Sequence, residues 1–143
     1  MDIFTSLNIS SSALKAQRIR LDTISSNMAN AETTRTPEGG PYRRKMVVFE
    51  PAQVSFADHL SAKEKKALNG VQVSQIVTED SEPRLIFDPS HPDANDQGYV
   101  ALPNIDLLKE TTDMMLATRA YEANITTIKS AKRMALKALE IGK

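Results

Sequence analysis

The sequence predicts an α+β fold in which long N- and C-terminal helices pack as a coiled-coil-like layer beside a small β-rich middle segment of hairpin-like strands. Apolar residues recur every seven positions near both ends of the 143-residue chain, which is helical spacing. All seven prolines and four of the five glycines lie between residues 37 and 103, so helix breakers are confined to the middle. The predicted segments are therefore 1–30, 31–103 and 104–143, with the C-terminal helix pairing with the N-terminal one.

The N-terminal helix is predicted from about residue 4 to residue 28. Its apolar stripe is narrow, which favours pairing with one or two partner helices over burial in a large core. Asn30 predicts the end of this helix, because asparagine tolerates the backbone conformation that terminates helices. The stripe consists of Leu7, Leu14, Leu21, Ile24 and Met28.

The C-terminal helix is predicted to begin after Pro103, with Asn104 as its N-cap and Asp106 in its first turn. No proline or glycine interrupts it before Gly142, so it would reach about 55 Å. Such a length exceeds what the middle segment could cover, and the stripe is therefore predicted to pack within and between subunits. Its members are Leu107, Met114, Tyr121, Ile128 and Leu139.

The middle segment is predicted to contain strands at 42–50, 71–78 and 84–87, because these runs are β-branched or aromatic and are bounded by Gly and Pro. Residues 55–68 fit either a short helix or an exposed loop.

Composition excludes several classes of function. The 18 basic and 18 acidic residues balance, so no overall positive field attracts nucleic acid or an anionic membrane. The absence of cysteine excludes disulfides, thiolate metal sites and cysteine nucleophiles. Apolar runs are too short for direct membrane insertion, and the N-terminus carries no pattern of a cleavable signal peptide.

The strongest candidate for metal or catalytic chemistry is the cluster of Asp88, His91, Asp93 and Asp96. The run from Asp93 to Gly98 resembles half of a calcium-binding loop, yet Asn104 stands where the bidentate Glu is required. A turn-rich connector is the favoured interpretation, and no catalytic residue, metal or cofactor is predicted. The basic cluster at 42–45 is interpreted as a solvated strand end or a contact for an acidic protein.

Four stretches of the sequence together resemble the flagellar rod and hook axial proteins, most closely the basal-body rod proteins. The first, SSNMANAETT at 25–34, is similar to the S-x-N-x-A-N-x-x-T signature of that family. The others are RTPEGGPYRR at 35–44, FDPSHPDAN with GYV at 87–100, and RAYEAN at 119–124. The matching residues are Asn27, Ala29, Asn30, Thr33, Thr34, Gly39, Gly40, Pro41, Tyr42, Asp88, Pro89, His91, Pro92, Asp93, Gly98, Tyr99, Arg119, Tyr121, Glu122, Ala123 and Asn124.

This resemblance implies a structural subunit of the proximal rod, the drive shaft of the flagellar basal body. It implies export by the flagellar type III apparatus without a cleaved signal, and helical assembly in the periplasm. The implied partners are other copies of the chain, other proximal and distal rod subunits, and the rod-to-ring adaptor FliE. The periodicity alone leaves a second interpretation open, a cytoplasmic helical adaptor that uses the same apolar stripes.

Overall fold

The computed structural model describes residues 3–52 and 69–141, and it confirms the α+β class. Helix α1 spans Ile3–Ala29 and helix α2 spans Leu107–Ile141. Between them lie four strands, β1 (Lys45–Pro51), β2 (Val71–Thr78), β3 (Arg84–Phe87) and β4 (Tyr99–Leu102). The helix-or-loop prediction for 55–68 falls outside the described residues.

The ends of the two helices are set by polar side chains. Asn30 follows the last residue of α1, and its side-chain amide donates to the Ser26 carbonyl at 2.8 Å. At the start of α2, one Asp106 carboxylate oxygen accepts from the backbone amides of Leu108 at 2.9 Å and Lys109 at 3.3 Å. Asp106 is therefore the N-cap, and the prediction of Asn104 was wrong. The aspartate adds a negative charge where the helix dipole is positive, which favours it over an asparagine two residues earlier.

The two helices pack antiparallel, since Asn27 contacts Glu110 whereas Arg20 contacts Asp113. The side chains of α2 that face α1 repeat every seven residues, three positions after the predicted stripe. Three of these four positions are buried and Asn124 is half-buried. They are small or polar, which permits close approach of the helices: Glu110, Ala117, Asn124 and Ala131.

The strands form two separate antiparallel hairpins. In the first, β1 pairs with β2 from Lys45 opposite Thr78 to Pro51 opposite Val71, with a bulge between Val48 and Phe49, and both strands pack on α1. In the second, β3 pairs with β4 from Arg84 opposite Leu102 to Phe87 opposite Tyr99. Strand β4 was not predicted, because four residues between a glycine and a proline are too short for an alternating pattern to show.

Ser12 of α1 holds the start of β2. Its hydroxyl donates to the Ile9 carbonyl at 2.7 Å and accepts from the Val71 amide at 3.0 Å. Gly70 packs so closely here that a Cβ atom would collide with the Ser12 hydroxyl. The first hairpin is thereby anchored to the middle of α1. No helix in the described part of the chain is both long and apolar enough to cross a membrane.

Candidate functional site: a buried polar junction between the terminal helices

Asn27, near the end of α1, lies at the centre of the most connected polar cluster in the described residues. Its side chain is fully buried. The amide nitrogen donates to the Lys45 carbonyl at 2.8 Å and to Glu110 Oε2 at 3.1 Å. The amide oxygen accepts from the Lys45 backbone amide at 2.9 Å and from the Tyr42 hydroxyl at 3.1 Å. All four hydrogen-bonding positions of the amide are therefore used, and α1 is joined to both β1 and α2.

Glu110, in the first turn of α2, is the acidic member of this junction. Its side chain is fully buried, and its second oxygen accepts from Arg44 Nε at 2.7 Å. A buried carboxylate is costly unless it is paired and hydrogen-bonded, and here both oxygens have a partner. The pairing of the terminal helices thus depends on a cation that comes from the middle segment.

Arg44 carries that cation and links three carboxylates. Besides Glu110, its guanidinium contacts Glu79 at 3.1 Å and Asp113 at 3.7 Å. Burial by itself lowers the pKa of Arg44, but the hydrogen bonds and charges of Glu110 and Glu79 outweigh burial and raise the pKa. Arg44 therefore keeps its positive charge at neutral pH.

Tyr42 completes the junction on the side of α1. Its hydroxyl donates to the Asn27 amide oxygen and lies 3.3 Å from the Ser26 hydroxyl. The Lys45 ammonium lies 5.7 Å from the centre of the Tyr42 ring, a cation–π distance.

Replacing Tyr42 by Phe should lower the free energy of unfolding by about 1 kcal/mol, the net contribution of one hydrogen bond. The loss stays modest because the Asn27 oxygen still accepts from the Lys45 amide. Urea denaturation of the full chain measures the change. Tyr99→Phe is the matched control, since the Tyr99 hydroxyl makes no hydrogen bond to other described residues. Equal stability of the two variants would contradict this role of the Tyr42 hydroxyl.

The junction is built to hold elements together, and its charged groups are committed to each other. An open groove of about 390 Å³ runs beside it between α1, β1 and the first turn of α2. Among the residues that line it, Arg44 is paired with Glu110 and with Asp113. The paired charges therefore fix the relative positions of α1, β1 and α2.

The predicted metal candidates serve as turn-forming groups. Asp88 accepts from the backbone amide and the hydroxyl of Ser90, and these bonds lower the pKa of Asp88. His91 Nδ1 accepts from the Asp93 amide at 3.1 Å. Asp93 accepts from the Thr34 hydroxyl at 2.8 Å, which ties this turn to the segment after α1. Within residues 3–52 and 69–141, no group of three or more potential ligands is placed to hold a metal ion.

The other residues of the matching stretches occupy turns and neighbouring positions around helix α2. Gly39 and Gly40 have φ angles of 90° and 76°, and the Thr36 amide donates to the Gly40 carbonyl in the same turn. Gly98, with φ of 80°, closes the turn before β4. On α2, Arg119, Glu122 and Ala123 are exposed, whereas Tyr121 is half-buried.

The residues predicted to pack within and between subunits differ in their exposure. Ile24 is buried, and Leu107 and Leu139 are exposed by 49% and 71%. The remaining members are half-buried, so each keeps surface that this chain does not cover: Leu7, Leu14, Leu21, Met28, Met114, Tyr121 and Ile128.

The pairing of Arg44 with Glu110 was not predicted from the sequence. Arg44 was grouped with its basic neighbours, yet it is turned inward, while Arg43 pairs with Asp80 at 2.7 Å on the surface. One signal was available, because Glu110 precedes Ala117 by seven residues and Ala131 by three times seven. An acidic residue at the same seven-residue spacing as small apolar residues of a helix indicates a buried carboxylate, which requires a cation nearby.

Comparison with known proteins finds similarity to flagellar proteins over the whole chain. Residues 7–35 match the family model described as flagella basal body rod protein, and residues 96–141 match that of the flagellar basal body rod FlgEFG protein C-terminal region. The flagellar basal-body rod protein FlgC of Bacillus subtilis is 50% identical, with all of both chains covered. The FlgC proteins of Borreliella burgdorferi and Salmonella typhimurium are 43% and 37% identical, and each comparison covers 99% of this chain and at least 98% of the relative.

Proposed function

Because the chain belongs to the FlgC family of flagellar basal-body rod proteins, a family of structural subunits and not of enzymes, we propose that it forms part of the proximal rod and transmits motor torque. The observation that carries this proposal is the junction of Asn27, Arg44 and Glu110. It locks both terminal helices and the first hairpin into one body, as a part that bears torsional load requires.

Assembly is proposed to occur through the terminal helices. The half-buried stripe residues keep apolar surface that is available to neighbouring helices, and their burial in the rod would add to the free energy of association. A contact between two different surfaces of like subunits does not close on itself and generates a helix, the symmetry of a rod. The RAYEAN stretch on α2 offers Arg119 and Glu122 as exposed charges that would fix the register between subunits.

The partners proposed for the chain are other copies of itself, other proximal and distal rod subunits and the adaptor FliE. Export by the flagellar type III apparatus, without a cleavable signal, would deliver it to the periplasmic part of the basal body. Family membership favours this function over the cytoplasmic adaptor.

A deletion strain tests the proposal. Cells without the gene should fail to swim and should yield basal bodies that lack a complete rod, and a plasmid copy of the full chain should restore both. The restored protein should be found in purified basal bodies. Normal swimming of the deletion strain, or absence of the chain from the basal bodies of complemented cells, would refute the rod assignment.

A further inference from the structure

The β3–β4 hairpin is the least supported element of the described part of the chain. Its strands pair with each other, and neither packs against a helix or against the first hairpin. On one face, Val100 is only 3% exposed and its cross-strand partner Ile86 is 40% exposed. On the other face, Leu85 and Phe87 are 61% and 64% exposed. An isolated two-stranded hairpin is marginally stable in water, so burial of this apolar face by a partner would stabilise the hairpin.

The exposed face of this hairpin is already held in one shape. The rings of Phe87 and Tyr99 meet edge to face, with centroids 5.3 Å apart and an interplanar angle of 67°. A Cβ atom at Gly98 would lie 3.0 Å from the Phe87 ring, so this ring packs against the backbone of Gly98. A preformed apolar surface binds with little loss of side-chain freedom. We refer to Leu85, Phe87 and Tyr99 as the hairpin face.

Acidic residues border the hairpin face. Residues 82–98 contain four acids and one base, and Glu82 and Asp96 are exposed. A partner that offers apolar side chains together with positive charge is therefore favoured over a neutral or acidic one.

Helix α2 carries a surface of that chemistry. Leu108, Met115 and Leu116 are 77%, 55% and 54% exposed, and their spacing places them on one side of the helix, in line with Arg119. We call these four residues the outer stripe. Within residues 107–122, the exposed charged side chains are those of Lys109, Arg119 and Glu122, so basic groups outnumber acidic ones by two to one.

We propose that the hairpin face of one copy of this chain packs on the outer stripe of a second copy. This inference rests on the proposed function and names a contact within the assembly. The two surfaces match in apolar character and are opposite in charge, and within one chain the hairpin does not contact α2. Because the surfaces differ, the contact is heterologous and can propagate from copy to copy.

The positions of the two surfaces in the chain also limit the axial offset between neighbouring copies. Only four residues separate the end of β4 from the start of α2, which limits the gap to about 18 Å. Hairpin face and outer stripe thus lie at the same end of a helix about 50 Å long. Copies joined in this way stand side by side with a small axial offset.

Disulfide trapping tests the contact directly, because the chain contains no cysteine. Two differently tagged full-length variants, Leu85→Cys and Leu116→Cys, are mixed and oxidised, so that a mixed dimer can form only between chains. We expect several-fold more mixed dimer than with Thr126→Cys, an exposed position further along α2. A yield no higher than that of the Thr126→Cys control would overturn the proposal.

A charge exchange gives the second measurement. Arg119→Glu in the Leu116→Cys chain should lower the mixed-dimer yield several-fold, and Asp96→Lys in the Leu85→Cys chain should restore it. A yield that is unchanged by Arg119→Glu would overturn the inference that opposite charge favours this contact.

Trapping in cells separates failure of this contact from failure of the rod assignment. Both cysteine variants are expressed together in the deletion strain, and their basal bodies are isolated and oxidised. A covalent dimer of the two variants supports the contact. If the chain is present in basal bodies but Leu85→Cys links only to a different protein, or to none, the contact is refuted and the rod assignment stands. Basal bodies that lack the chain would refute the rod assignment itself.

Discussion

Arg44→Ala should lower the free energy of unfolding by about 3–5 kcal/mol, the usual cost of removing one partner from a buried ion pair. The cost is high because Glu110, whose side chain is only 1% exposed, would keep a buried charge with the Asn27 amide as its remaining partner. Urea denaturation of the purified chain gives the change as a shift of the transition midpoint. In cells, the variant should be defective in swimming.

The adjacent residue provides the matched control for this prediction. Arg43 also forms an ion pair at 2.7 Å, but its side chain is 63% exposed and that of its partner Asp80 is 88% exposed. Exposed pairs contribute little, so Arg43→Ala should change stability by less than about 1 kcal/mol. Equal losses of stability from the two alanine substitutions would show that the burial of the Arg44 ion pair does not determine its contribution.

A double variant identifies the cause of the loss. In Arg44→Ala with Glu110→Gln, the buried group is neutral and can still bond to Asn27, so part of the lost stability should return. If Glu110→Gln only adds to the loss, the stranded carboxylate is not the reason for the effect of Arg44→Ala.

Local patterns of sequence were sufficient to predict the fold class and the order of every described element except β4. The seven-residue spacing and the confinement of prolines to the middle predicted α1 and α2, and β-branched runs predicted β1, β2 and β3. Strand β1 begins at Lys45, three residues later than predicted, because residues 42–44 lie in the junction with α1 and α2. The local pattern of residues 42–44 does not reveal these contacts with distant parts of the chain.

The choice of which helix face is buried could not be predicted from apolar spacing alone. Large residues such as Met114 and Ile128 suggested the interface, whereas the most buried side of α2 carries Ala117 and Ala131. Small residues let two helices approach closely, and the larger ones then flank the contact. The buried positions Ala117 and Ala131 come three residues after Met114 and Ile128 of the predicted stripe. The first pair packs on α1 within the chain, and the second pair keeps surface that the chain does not cover.

This close helix contact predicts that Ala117→Leu should destabilise the chain by about 3 kcal/mol, because the added side-chain atoms must separate α1 from α2 or strain the rotamers around them. Ala117 is fully buried. Ala123 lies six residues later on the same helix and is exposed, so Ala123→Leu is the matched control and should change stability by less than about 0.5 kcal/mol. Urea denaturation compares the stability of the two variants, and swimming of complemented cells reports whether the rod still forms.

Separation of the helices would also break the hydrogen bond between Asn27 and Glu110. Cells with Ala117→Leu should therefore fail to swim even where enough folded protein accumulates. If Ala117→Leu is as stable as the unmodified chain, the space between the helices is larger than the burial of Ala117 indicates, and the close packing inferred from the alanine repeat is wrong.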